Sequence, residues 1–147
     1  MKHADLLDEN CAIARSAAIV GERWVWVILR QAFNGARRFE DFQRGIGLAR
    51  NVLTERLNRL VEHGVLERRR YSEHTARDLN EYRLTAKGRA LFPVYVALMN
   101  WGDTYLPTPD GPPIVLRHHD CGEHADPFLA CRHCGGEITT TDRKSVV

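Results

Sequence analysis

Three cysteines and a histidine near the C-terminus, His118, Cys121, Cys131 and Cys134, are spaced His-x2-Cys-x9-Cys-x2-Cys. Two residues between ligands let one short turn aim two side chains at one ion, and two such turns fill a tetrahedral zinc site. Gly122, Gly135 and Gly136 follow the pairs and help each turn close. With all four positions filled, the zinc would be structural and leave no open position for chemistry. The plainer reading is a small β tail with unmetallated thiols, and His119, His124 and His133 are substitutes for His118 as ligand. Cys11 stands apart, at the start of a helical segment. A thiol at a helix start can be more reactive than usual, although such a residue more often packs as a small hydrophobe.

The second group able to do chemistry is cationic. Nine arginines and five acids lie between Arg37 and Arg70, whereas the stretch from Asp103 to Asp126 holds five acids and one arginine. A net charge of +2 argues little by itself, but a basic middle and an acidic tail are what a phosphate-binding surface in the middle would need. The alternative is a solvated, arginine-rich helix face.

Hydrophobic spacing supplies the elements that must position these groups. Helical segments are expected over Cys11–Val20, Arg23–Phe33, Phe39–Ile46 and Ala49–His63, with Gly21, Asn34-Gly35, Gly45/Gly47 and Gly64 punctuating them. The second is apolar almost all round and should be the buried central helix. In the first, Ile13, Ala17 and Val20 share a face; in the fourth, Leu53, Leu57, Leu60 and Val61 form the core stripe. Strand-like runs at Val65–Tyr71 and Glu81–Leu84 flank a polar loop from Ser72 to Asn80. Thr85 can cap a further helix from Ala86 to about Tyr105, which Pro93 should kink or restart. No internal repeat is evident.

Two short helices joined by a glycine-containing turn, then a hairpin, make a winged helix-turn-helix. The fold expected is mainly α with a small β-wing (α+β), plus a short C-terminal β-rich tail. Residues 1–106 would form the DNA-binding and dimerisation domain, 107–113 a proline-rich linker, and 114–147 a small Cys/His tail resembling a zinc ribbon. With Leu53 facing the core, Asn51, Glu55, Asn58 and Arg59 fall on the far side of the fourth helix and Thr54 near its edge. Arg50, Asn51 and Thr54, at the end that enters a major groove first, are best placed to reach bases. Arg50 lies nearer the core side and could instead reach a phosphate. Arg37 and Arg38 ahead of the third helix, and His74 and Arg77 in the wing, would hold the backbone. The plain alternative for Asn51 and Thr54 is polar surface.

Several runs in order resemble one family. Cys11-Ala12-Ile13-Ala14-Arg15, Gly21-Glu22-Arg23-Trp24, Ile28-Leu29-Arg30, Arg38-Phe39-Glu40-Asp41-Phe42-Gln43, Leu53-Thr54-Glu55-Arg56-Leu57 and Tyr82-Arg83-Leu84-Thr85-Ala86-Lys87-Gly88 are similar to the signature of the HxlR regulators of bacteria. The resemblance covers roughly residues 10–102. It implies a MarR-like winged-helix homodimer, joined through its N-terminal helix and the helix 86–105, that acts on palindromic operators in double-stranded DNA as a repressor or activator, repression being the expectation. It also implies that a cysteine at position 11 serves as a thiol sensor in some relatives. Leu48-Ala49-Arg50-Asn51-Val52 departs from the Ser-Pro often found where the recognition helix begins, so the operator of a relative does not transfer.

Composition narrows the rest. The chain is 44% hydrophobic and 27% charged, as expected of a globular domain with a short appendage. No apolar run approaches the roughly 20 residues needed to span a bilayer, and no secretory signal is evident, so a cytoplasmic location is expected, with free thiols or metal ligands rather than disulfides. No phosphate-cradling glycine loop, Gly-x-Ser-x-Gly elbow or pair of catalytic carboxylates is readable, so no enzyme is expected. A winged helix used only for protein contacts is the other rival. No cofactor other than zinc, and no effector, is indicated.

Overall fold

The structure, a computed structural model, describes residues 6–71 and 79–142. From Ala12 on, four helices run in succession: α1 (Ala12–Val20), α2 (Arg23–Phe33), α3 (Phe39–Ile46) and α4 (Arg50–Glu62). An antiparallel pair follows, β1 (Leu66–Arg70) and β2 (Asn80–Leu84), then α5 (Ala86–Arg89) and α6 (Phe92–Tyr105). The sequence expectations for these elements agree to within a residue or two, and Pro93 lies in the first turn of a restarted helix. Proline is tolerated there because a first-turn N–H has no intrahelical partner to lose.

The chain divides into two compact units, Met1–Phe92 and Pro93–Val147. In the first, α2 is the central helix, buried along one face rather than all round as expected, with Arg23 and Arg30 exposed. Its Val25, Ile28, Leu29 and Ala32 pack with Phe42 of α3, the Leu53, Leu57 and Leu60 stripe of α4, and Val65 and Leu66. Only the C-terminal half of α1 joins this core. Ala18 is buried and Ile19 and Val20 are packed against it, whereas Ile13, expected on the inward face, is 78% exposed.

The two strands pair from Leu66↔Leu84 to Arg70↔Asn80. Leu66 is buried at the root and Arg68, Arg69 and Arg70 are exposed further out. Contacts with the helices hold the base of the wing. The Tyr82 N–H donates to the Arg37 carbonyl at 2.7 Å, joining β2 to the segment ahead of α3. The Thr85 hydroxyl accepts from the Gly88 N–H at 3.0 Å, capping α5, and lies 2.5 Å from the Gly64 carbonyl.

In the second unit α6 keeps one buried side chain, Val96, and exposes Val94, Leu98, Trp101 and Tyr105. The tail beyond it is β-like, with isolated bridges at Arg117↔His124 and Ala130↔Glu137. The sequence shows no internal repeat, but the backbone of the tail makes one turn twice. The N–H groups of His118, Gly122 and Ala125 donate to the carbonyls of Glu123, His118 and Leu116. Thirteen residues on, those of Cys131, Gly135 and Ile138 donate to Gly136, Cys131 and Leu129. The glycines at matching places, Gly122 and Gly135, have φ of 72° and 75°, a region that L side chains rarely adopt. Within the paired segments only leucine, cysteine and glycine coincide (Leu116/Leu129, Cys121/Cys134, Gly122/Gly135), so the repeat lies in the backbone and escapes a search of the sequence.

Candidate nucleic-acid interface

Helices α3 and α4 are separated by three residues, 47–49, and Leu53, Leu57 and Leu60 pin α4 by one face. That fixes what the opposite face presents. Asn51, Thr54 and Glu55 are exposed along the N-terminal half of α4. The Thr54 hydroxyl donates back to the Arg50 carbonyl at 2.8 Å. Arg50 is exposed, with its guanidinium 4.6 Å from the centre of the Phe39 ring and donating to Gln43 Oε1 at 3.0 Å. It therefore sits across the turn from α3, held by one aromatic face and one amide.

The other two α4 candidates are engaged by the scaffold. Asn58 Oδ1 accepts from the guanidinium of Arg68 on β1, joining α4 to the wing. Arg59 is half-buried and donates to the Ala18 carbonyl at 2.6 Å. Ala18 lies in the last turn of α1, where carbonyls have no intrahelical donor and the helix dipole favours a cation. A second tie is the ion pair of Arg56 Nε with Glu22 Oε2 at 2.6 Å. Both atoms are buried and neither makes a hydrogen bond, so the contact between them is ionic. Helix α4 is thus clamped to the end of α1 and the start of α2.

Ahead of α3, Arg37 and Arg38 diverge. The Arg37 guanidinium donates to the carbonyls of Ala32 and Ala36, at 3.2 and 3.1 Å, closing the end of α2. Arg38 is exposed, 4.4 Å over the Tyr71 ring. Between them the Asp41 carboxylate accepts from the N–H groups of both, at 3.3 and 3.0 Å. Those two donors, Arg38's first, hold its pKa below the ordinary aspartate value, with Arg44 and Arg38 charges adding to the effect. Arg44, which sequence reasoning passed over, projects from α3 with its side chain 78% exposed and 3.5 Å from Asp41. Its signal was present: an arginine three residues after an aspartate on a short helix. His74 and Arg77 lie outside the described residues.

Four cysteines are free, and Cys11, the residue preceding α1, is exposed. In the tail, His118 Nδ1 stands 3.4 Å from Cys121 Sγ. The N–H groups of Cys134 and His133, together with the Cys134 thiol, face the Cys131 sulfur and hold its pKa below the ordinary thiol value. Among the described residues, no three His, Cys, Asp or Glu side chains are gathered where one ion could take them all. No helix among them is long and apolar enough to cross a membrane.

One helix-turn-helix, α3 and α4, packed on a central α2 and followed at once by a two-stranded wing, defines the winged helix-turn-helix class of transcriptional regulators. The family model described as HxlR-like helix-turn-helix matches residues 19–110, and the chain belongs to that family. The HTH-type transcriptional regulator Rv3095 of Mycobacterium tuberculosis is 55% identical over 131 residues, 89% of this chain and 82% of its own. YdeP of Bacillus subtilis, another regulator of this type, is 31% identical over 98 residues, 66% and 75% of the two chains. Among solved structures, PA1607, assigned as a transcription factor, superposes with a TM-score of 0.86 at 36% identity over 97% of this chain and 98% of its own. The redox regulator HypR in its reduced form gives 0.59 at 26% identity, covering 64% of this chain and 92% of its own. HypR thus matches a length close to that of the helix-turn-helix portion, and PA1607 matches nearly all of the chain.

Proposed function

We propose that the protein regulates transcription by binding double-stranded DNA sequence-specifically as a homodimer, most simply as a repressor on palindromic operators. The observation that carries this reading is the exposed row Arg50, Asn51, Thr54 and Glu55, on a helix whose other face is locked into the core. Asparagine can pair with adenine through N6 and N7, and arginine with guanine through O6 and N7. Arg38 and Arg44 flank that row and would contact phosphates, with His74 and Arg77 of the wing in the same role. Asn58 and Arg59 set the pose of α4. Residues 1–106 would carry DNA binding and pairing, 107–113 the linker and 114–147 a separate appendage. Nothing in this assignment calls for an enzyme, and the setting would be the cytoplasm.

Dimerisation is supported by the apolar surface on the two helices expected to pair. Ile13 is 78% exposed on α1, and Trp101 and Tyr105, whose rings lie 5.7 Å apart, are 54% and 67% exposed on α6. Large exposed apolar side chains in a row mark a surface that another chain covers.

The test is selection of genomic fragments on the purified protein at near-physiological salt, beside an Asn51→Ala/Thr54→Ala variant. Enrichment of one palindromic site by the wild type alone is the expected result. Equal enrichment by both proteins would refute the role given to α4. A second reading, thiol sensing, is favoured by the exposure of Cys11 beside α1 and by the likeness to HypR. Under it, diamide would release wild-type protein from its site and leave a Cys11→Ser variant bound.

A further inference from the structure

We infer that the tail is a metal-binding module in which the two equivalent turns, His118 with Cys121 and Cys131 with Cys134, take one zinc ion per chain. The inference does not depend on the DNA-binding reading. It begins with the backbone. Each turn brings residues three apart to the same side, because the carbonyl of the first ligand accepts from the N–H of the left-handed glycine just after the second. The first ligand's own N–H closes the ring five residues on, at Glu123 in one turn and Gly136 in the other. A turn of this form suits two ligands on one ion, and the chain builds it twice with ligand-type residues in both equivalent places.

Side-chain spacing agrees. Zinc–nitrogen and zinc–sulfur bonds at a tetrahedral angle separate the two ligand atoms by about 3.6 Å. His118 Nδ1 and Cys121 Sγ stand 3.4 Å apart. In the second turn the Cys134 thiol and backbone N–H groups face the Cys131 sulfur, the surroundings a metal-bound thiolate needs. The two pairs are formed but the quartet is not gathered. The ion's part is to draw the turns together, and the nine residues between Cys121 and Cys131 leave room for that movement.

Energetics point the same way. Among described residues 107–142 none is buried, and Phe128 and Leu129 are 66% and 68% exposed. A segment this short with no core of its own is of the size that ordinarily depends on a metal, a disulfide or a partner. On binding, the three thiols would give up their protons to solvent and His118 would ligate as neutral imidazole through Nδ1. Three thiolates on a divalent ion leave one negative charge. Arg117, whose guanidinium donates to the Gly122 carbonyl at 3.0 Å, is a cation on the first turn. With four protein ligands the ion would be structural.

The test uses the full chain, purified under reducing conditions and assayed for zinc with a colorimetric chelator after thiol modification. A metal-stripped sample is then titrated with cobalt. About one zinc per chain is expected, and cobalt should give a sulfur charge-transfer band in the near ultraviolet with intense tetrahedral bands in the red. Cys134→Ser and His118→Ala should each lose most of the metal. Cys134→His should retain cobalt with its bands shifted, and Cys11→Ser should bind as the wild type does. Far-ultraviolet dichroism checks that helix content is unchanged in every variant. No zinc and no cobalt bands in the reduced protein would overturn the inference, as would full binding by both ligand-removal variants. Half an ion per chain would overturn the single-chain quartet in favour of a site shared by two copies.

Discussion

Replacing Arg59 separates two roles that its position on α4 could serve. Its guanidinium donates to the Ala18 carbonyl at 2.6 Å, on one of the last carbonyls of α1 and 41 residues away in the chain. A hydrogen bond from a charged donor contributes about 1.5–3 kcal/mol. Because Arg59 is only half-buried, the lower end applies, and Arg59→Ala should cost about 1.5–2 kcal/mol. For a chain near this size that is roughly 5–6 °C in the melting temperature. If Arg59 instead met a phosphate, its loss would reduce the slope of log K against log salt by about one. The two assays are thermal unfolding followed by dichroism and a salt titration of binding to the selected site. Lower stability with an unchanged slope is expected. Unchanged stability with a slope reduced by one would refute the reasoning and return Arg59 to the DNA face.

Removal of the Asp41 carboxylate, Asp41→Ala, should cost about 1 kcal/mol, because two N–H groups at the start of α3 lose their acceptor. The folded pKa of Asp41 is lowered, so its contribution is present above the ordinary aspartate range and is lost as pH falls through the lowered value. Acid titrations of stability should show the wild type losing more than the variant over that interval, and parallel curves would count against it. Gly88 allows no side chain: a Cβ there would stand 2.2 Å from the Val65 carbonyl oxygen. Gly88→Ala should therefore cost about 1–3 kcal/mol in urea unfolding, and a neutral result would mean the joint between β1 and α5 is looser than described. Trp101→Ser with Leu98→Ser should shift sedimentation towards the monomer, whereas an undiminished dimer would place the pairing surface elsewhere.

The helix-turn-helix was legible because its signals are local. The stripe Leu53, Leu57 and Leu60 has one helical face, glycines interrupt the pattern where elements end, and Pro93 marks the restart between α5 and α6. What escaped was set by contacts between distant segments. A helical wheel puts Asn58 and Arg59 on the far side of α4 but cannot know that Arg68 and the end of α1 stand against them, leaving both half-buried. Arg37 was read as a backbone clamp, and its guanidinium is occupied by the carbonyls at the end of α2, which a list of basic residues does not reveal. Ile13 followed the period of an inward face, but α1 runs beyond the core before its C-terminal half packs. The tail's repeat was hidden for another reason: a turn is specified by hydrogen bonds and one left-handed glycine, and the remaining positions are free to differ.

The hydrogen bond from the Tyr82 N–H to the Arg37 carbonyl has a mechanical consequence. It closes a loop of chain that starts ahead of α3, takes in α4 and β1 and ends on β2, so the segment leading into α3 and the base of the wing are tied to each other. If two such chains pair on a duplex as proposed, the tie would keep α3 and the base of the wing in step within each chain, and induction would amount to spoiling the spacing between the two chains against the pitch of the duplex.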